Sequence, residues 1–244
     1  MDRMIYIAMT GARQVMEQQA TTAHNLANLG TTGFRAQLDS FRSVPVEGQG
    51  LATRAFVLDA TTGSDYSQGV VQQTGNPLDV AIKGEGWIAL QAADGSEVYS
   101  RAGNLSVSDS GVLTGQGGLA VAGDGGPITV PPEGRPSIAP DGTVSVMDAR
   151  GVSNAVGRIR LVNPPAADLQ RGDDGLFRTK SGDTPDADAM VRLAPGSIEA
   201  SNVNAVDAMV NLITLSRAFD LQMSLMKNAE SNEAKASQIL AMNP

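Results

Sequence analysis

The chain has no cysteine in 244 residues. This excludes disulfides, cysteine-ligated zinc and a thiol nucleophile, and it fits a protein working outside a reducing cytosol without covalent cross-links. There is one histidine, His24, so no histidine cluster can gather a metal, and a Ser-His-Asp triad would have to use that residue. Aromatic residues make up only 4% of the chain, which leaves little ring surface for stacking sugars. Positive charge is also scarce, with 18 Lys and Arg against 26 Asp and Glu, a formal charge of −8. The densest basic feature is the pair Arg158/Arg160, so nucleic acid is not an expected partner. No apolar run reaches the roughly eighteen residues a membrane span needs. Met1 to Met9, with one Arg and an apolar stretch broken by Tyr6, is a poor secretory signal.

Glycine and proline number 27 and 12 in the whole chain, yet neither occurs between Ser201 and Met242. In that stretch Leu212, Leu215, Phe219, Gln222, Met226, Ala229, Glu233, Ala236 and Leu240 follow one another at alternating spacings of three and four. This is a heptad seam with polar interruptions. A second stripe, Val206, Val210 and Ile213, runs beside it, so the helix needs more than one neighbour. At 1.5 Å per residue it extends roughly 60 Å, too long for a compact domain of this size to cover.

Residues Met4 to Asn28 form a second predicted helix, with Met9, Ala12, Met16, Ala20, Ala23 and Ala27 on one stripe and Ile5, Ala8, Val15 and Leu26 flanking it. Gly30 is a natural stop. Apolar stripes at both ends of one chain predict that the terminal helices pair as a coiled coil. Residues 31–69 read as an extended connector, with Phe34, Leu38 and Phe41 spaced for a short helical turn. From 70 to 196 short apolar runs alternate with turns such as Asp94-Gly95, Asp124-Gly125, Asp141-Gly142 and Asp174-Gly175, the pattern of a β-sandwich or barrel-like domain. Ser201 and Asn202 offer N-caps for the last helix. The expected fold is therefore α+β, divided into a helix over 1–30, a connector over 31–69, a β domain over 70–196 and a helix over 197–244.

No site chemistry emerges. Asp141-Gly142 and Asp173-Asp174-Gly175 carry oxygen ligands and a sharp turn, but no twelve-residue calcium loop closes on a Glu. Gly115-Gln116-Gly117-Gly118 lacks the Lys-Ser/Thr of a phosphate loop and opens no helix. Asp79 and Glu85 near Trp87 do not make a glycosidase pair in a chain this poor in aromatics. His24 sits in an alanine-rich helix beside Asn25, where a polar contact between helices suits it better than catalysis. Neither an enzyme nor a cofactor is expected.

Several blocks resemble bacterial flagellar rod and hook proteins. These are Asn25-Leu26-Ala27-Asn28 with Gly33-Phe34; Asn76-Pro77-Leu78-Asp79; Gly84-Glu85-Gly86-Trp87; Tyr99-Ser100-Arg101-Ala102-Gly103-Asn104; and Glu199-Ala200-Ser201-Asn202-Val203. Thr32 and Leu105 depart from the family's usual Pro and aromatic. Within the family, Met1-Asp2, Thr53-Arg54-Ala55-Phe56 and Arg171 to Arg178 are most like a proximal rod protein, with the distal rod protein as alternative. The resemblance implies a structural subunit that assembles with its own copies and other rod proteins into a helical tube crossing the periplasm. It also implies export through the flagellar type III apparatus without a cleaved signal. The assembly seams would then carry Met9, Met16, Ala23, Leu26, Val206, Val210, Ile213, Leu215, Phe219, Met226 and Leu240. A reading from another class is a secreted carbohydrate-binding or adhesin-like β domain with helical oligomerisation ends.

Overall fold

The structure, a computed structural model, describes the backbone of residues 2–45, 55–132, 134–148 and 150–241; side chains 1–4, 43–62, 236 and 239–241 are outside that description. The chain divides into two compact units. One comprises residues 1–28, 36–65 and 203–244, the other residues 29–35 and 66–202.

The first unit holds two helices and a hairpin. Helix α1 runs Asp2–Ala27 and α2 runs Ala205–Ala241. With no glycine or proline to interrupt it, α2 continues unbroken for 37 residues. Its start is capped by Asn204, whose Oδ1 accepts from the Val206 and Asp207 amides at 3.0 and 3.4 Å, and Asp207 in the first turn suits the positive end of the helix dipole. The expected caps lie too early: the Asn202 side chain donates to Ser67 instead. Along α2, Ala208, Leu212, Leu215, Phe219, Gln222, Met226 and Ala229 are half-buried or buried while the opposite side is open. Helices α1 and α2 touch, and Gly11 lets the Gln222 amide approach to where a Cβ would stand 3.2 Å away.

The coiled-coil expectation is corrected here. Among the described residues there are two α-helices and many short strands in several antiparallel sheets, and the large side chains of the expected α1 stripe are not buried in a seam. Met9 and Met16 are 54% and 56% exposed, and Ala23 is also exposed; among the described α1 side chains the buried ones are Ala8 and Ala12. A heptad in one helix shows only that an apolar stripe exists. Knobs-into-holes packing also needs a matching apolar seam on the partner, and the methionines of the expected α1 stripe do not supply one. Part of α1 packs instead on the hairpin of β1 (Gln37–Pro45) and β2 (Ala55–Ser64). The hairpin pairs from Gln37↔Ser64 to Pro45↔Ala55 with a bulge at Ser40/Phe41. The helical turn expected over Phe34, Leu38 and Phe41 does not form: Leu38 and Phe41 lie in β1, and Phe34 precedes it outside any helix or strand.

The second unit is built mainly of β-strands, with short 3-10 segments at Gln116–Gly118 and Ala166–Asp168. Its central strand, β5 (Trp87–Gln91), pairs antiparallel with β6 (Glu97–Ser100), β9 (Ala120–Gly123) and β14 (Leu161–Val162). The same sheet extends through β16 (Phe177–Thr179) to β15 (Leu169–Arg171) on one side and through β8 (Leu113–Thr114) to β7 (Ser106–Val107) on the other, with β10 (Gly126–Pro127) pairing β9. Smaller sheets join β11 (Arg135–Ile138), β12 (Thr143–Met147) and β13 (Ser153–Arg158); β4 (Val80–Lys83) with β17 (Arg192–Pro195); and β3 (Val71–Gln73) with β18 (Ser197–Glu199).

The run Trp87-Ile88-Ala89-Leu90 does not alternate in polarity because β5 is buried on both faces. Ile88 and Leu90 enter the larger core with Val80, Ile82 and Val98; Trp87 and Ala89 enter a smaller one with Tyr99, Val162 and Phe177. Each aliphatic side chain buried here contributes about 1.5–3 kcal/mol relative to exposure.

Candidate assembly surfaces and the buried Glu199 centre

The outer side of α2 presents Val206 at 68% exposure, with Val210 and Ile213 at 56%. Met209, Leu221 and Leu225 extend the exposed apolar side chains along the helix. Leu215, Phe219 and Met226 occupy the opposite, half-buried stripe. The seam residues named from sequence therefore fall on two sides of one helix. On α1, Met9, Met16 and Ala23 are exposed and Leu26 is half-buried. The Leu240 side chain lies outside the described residues. An uninterrupted stripe of exposed aliphatic side chains is unfavourable in water unless something covers it.

The motif residues have separate tasks. Asn25 grips the backbone of Gln37 twice, its Oδ1 accepting at 2.8 Å and its Nδ2 donating at 2.9 Å, so the end of α1 is tied to the first residue of β1. Ala27 is exposed, and Asn28 folds back on His24, Nδ2 donating to the carbonyl at 3.0 Å. Asn76-Pro77-Leu78-Asp79 is a turn locked by Asn76 Nδ2 and Thr74 Oγ1, which donate to the two Asp79 oxygens at 3.0 and 2.6 Å. Gly86 has φ +129°, and a Cβ there would stand 2.7 Å from Val191. Next to it Trp87 packs on Phe177, centroids 4.5 Å apart. The Val203 side chain is half-buried ahead of the α2 cap.

Gly33, Phe34, Glu199, Ser201 and Asn202 converge within the second unit. The Gly33 amide donates to the Glu199 carbonyl at 2.7 Å, and the Asn202 amide to the Phe34 carbonyl at 3.4 Å. Gly33 has φ +67°, a conformation costly for any other residue, and a Cβ would sit 2.3 Å from the Arg101 carbonyl carbon. Ser201 is buried alongside. The Phe34 ring lies under the Arg171 guanidinium, 4.5 Å from its centre.

At the middle is the Glu199 carboxylate, fully buried. Arg35 Nη2 lies 2.7 Å from Oε1 in a contact of charges, and Arg101 Nε lies 3.4 Å from Oε2; the three side chains are 0%, 4% and 0% exposed for Arg35, Arg101 and Glu199. Oε1 also accepts from the Gly69 amide at 2.8 Å. Arg101 reaches the Gly84 carbonyl with Nη2 and covers the Trp87 ring at 5.8 Å. Burial brings the Arg101 guanidinium down to about 10, against the opposing pull of Glu199. The folded value lies below the ordinary one, so the cost of holding this charge is present at every pH below about 10 and fades only above it.

Of these residues, sequence reasoning reached Glu199 and Arg101 only as motif letters and missed Arg35 and Gly69 altogether. The available signal was Glu199 itself, an acid set between Ile198 and Ala200.

The candidate carboxylates do not assemble a reaction centre. Asp79 is spent on its turn, while Glu85 stands with Trp87, Tyr66 and Arg101 around a cleft of about 290 Å³. Asp141 accepts from Thr143, and Asp174 from Arg178. Among the described residues no group of three His, Asp or Glu could hold a metal, and no helix is long and apolar enough to cross a membrane.

Three family descriptions match the chain. "Flagella basal body rod protein" covers residues 5–35, "Flagellar hook protein FlgE/F/G D1 domain" covers 81–146, and "Flagellar basal body rod FlgEFG protein C-terminal" covers 194–239. The chain is 45% identical over 252 aligned positions to the flagellar basal-body rod protein FlgF of Escherichia coli (strain K12), with both chains covered completely. The chain belongs to the flagellar basal-body rod protein family. FlgF of Salmonella typhimurium is likewise 45% identical at full coverage, whereas the rod protein FlgG of Agrobacterium fabrum is 28% identical over 98% of this chain and 99% of its own. The protein is FlgF-like, a structural subunit of the basal-body rod that assembles with other rod proteins in the flagellar basal body. Its first and last family matches take in Arg35 and Glu199, the two ends of the buried ion pair.

Proposed function

We propose that this rod protein forms the proximal part of a helical, tubular drive shaft that transmits torque, with the exposed apolar sides of α1 and α2 as its subunit contacts. The observation that carries this reading is the aliphatic stripe Val206-Val210-Ile213, left open on an unbroken 37-residue helix. Head-to-tail contacts between unlike surfaces generate such a filament when the rotation does not close. In this reading residues 1–30 and 197–244 form the axial part, 70–196 an outer β domain, and 31–69 the link between them. Met9, Met16, Ala23, Leu26, Leu215, Phe219, Met226 and Leu240 contribute further contacts. The greater identity to FlgF than to FlgG favours the proximal rod. Export through the flagellar type III apparatus, without a cleaved signal, delivers the subunit across the periplasm.

The test is to replace Val206, Val210 and Ile213 together with Asp in a strain that depends on this gene for motility. Motility and rod assembly are expected to be lost, while the circular dichroism of the purified chain stays unchanged. Retained motility would overturn the assignment of that surface.

A further inference from the structure

We propose that Asp124-Gly125, the turn between β9 and β10, is a site of spontaneous rearrangement to isoaspartate, and that the fold confines this chemistry to one of its four Asp-Gly pairs. In the reaction the Gly125 backbone nitrogen attacks Cγ of Asp124 in its carboxylic acid form. A nitrogen–carbon bond forms, the amide proton and the carboxyl hydroxyl leave as one water, and a five-membered imide results. Water then opens the ring at either carbonyl, restoring aspartate or leaving the main chain routed through Cγ. One water is lost and one regained, so no other reactant is required.

The four pairs share a sequence and differ in structure. Asp94 accepts from the Ser96 amide and hydroxyl at 2.9 and 2.6 Å. Asp141 accepts from the Thr143 amide and hydroxyl at 3.1 and 2.9 Å. Asp174 is held by both Arg178 nitrogens at 3.0 and 2.6 Å and by the Leu176 amide at 3.1 Å. In each of these turns the glycine nitrogen is also occupied: Gly95 donates to Ala92, Gly142 to Ala139 and Gly175 to Gly172. Both reacting groups are therefore restrained.

At Asp124 neither is. The carboxylate has no hydrogen bond or ion pair among the described residues, and neither has the Gly125 amide. Both residues are exposed, and a Cβ placed on Gly125 would meet nothing within 4 Å, so there is room for the ring. The turn is fixed only at its base, by the Gly123↔Gly126 pairing and by the Asp124 amide on the Arg158 carbonyl.

The full-length protein is aged in neutral buffer at body temperature, labelled by an isoaspartyl O-methyltransferase with tritiated S-adenosylmethionine, and mapped by electron-transfer fragmentation. Isoaspartate at position 124 is expected to exceed that at 94, 141 and 174 by about tenfold, the scale set by releasing a hydrogen-bonded carboxylate. In denaturant the four pairs should react alike, and Asp124→Glu should remove the folded-state signal. An even spread in the folded protein, or a pair other than Asp124-Gly125 leading, would overturn the proposal. So would a preference for position 124 that persists in denaturant, since local sequence rather than the fold would then be its cause.

Discussion

Glu199 shows how much one side chain can hold. Its carbonyl takes the Gly33 amide, one carboxylate oxygen takes the Gly69 amide, and two arginines face the charge from within the protein. Removing the charge while keeping the shape, as in Glu199→Gln, leaves Arg35 and Arg101 buried without their counter-ion. The expected cost is about 3–5 kcal/mol, the range for breaking one partner of a buried pair, read from the urea midpoint of the purified chain. A loss below about 1 kcal/mol, the surface-pair range, would show that the centre is effectively solvated. Arg35→Gln on the same background should restore part of the loss, because it removes one of the uncompensated charges. The sequence carries the acid and both bases, 35, 101 and 199, but nothing in spacing or periodicity joins positions so far apart. That centre was legible only as letters.

At the scale of elements, α2 was readable because its pattern is local. The absence of glycine and proline set its length, and the heptad positions Leu212, Leu215, Phe219, Gln222 and Met226 are half-buried in the structure. What the pattern could not supply was the partner's face, and α1 turned out to bring Ala8 and Ala12 rather than its methionines. Residues 31–69 read as extended, but the pairing of β1 with β2 was missed for a similar reason. Phe34, Leu38 and Phe41 have helical spacing, but Asn25 fixes Gln37 as the start of a strand, and pairing with Ala55–Ser64 outweighs the local preference. The two sides of α2 are separable by experiment. Leu215→Ala should destabilise the unassembled chain by about 1–2 kcal/mol, less than a fully buried leucine because the site is half open. Ile213→Ala should stay within about 0.5 kcal/mol, as expected of an exposed position. Equal losses in urea titrations of the two variants would mean that Ile213 is covered within a single chain.

For the whole molecule, the second unit has strand pairing and a double core, whereas the first exposes a long helix on one side. Hydrogen exchange on the unassembled protein should find its slowest amides in β4, β5 and β6, with α2 between Val206 and Leu225 opening faster and gaining protection on assembly. Equal protection of α2 and β5 in a verified monomer would contradict this. The alternation of short apolar runs and Asp-Gly turns made the β region legible as a class. The pairing order of its strands was not, because neighbours such as β3 with β18 and β4 with β17 come from opposite ends of that region. The Glu199 centre adds a kinetic consequence. Gly69 and Glu199 are 130 residues apart, so the loop that their bond closes contains nearly the entire second unit. Contacts of such sequence separation reward the chain only after most of its closure entropy has been spent. During synthesis Arg35 emerges long before its counter-ion exists, and the unit can reach its final form only when the last strand before α2 has been made.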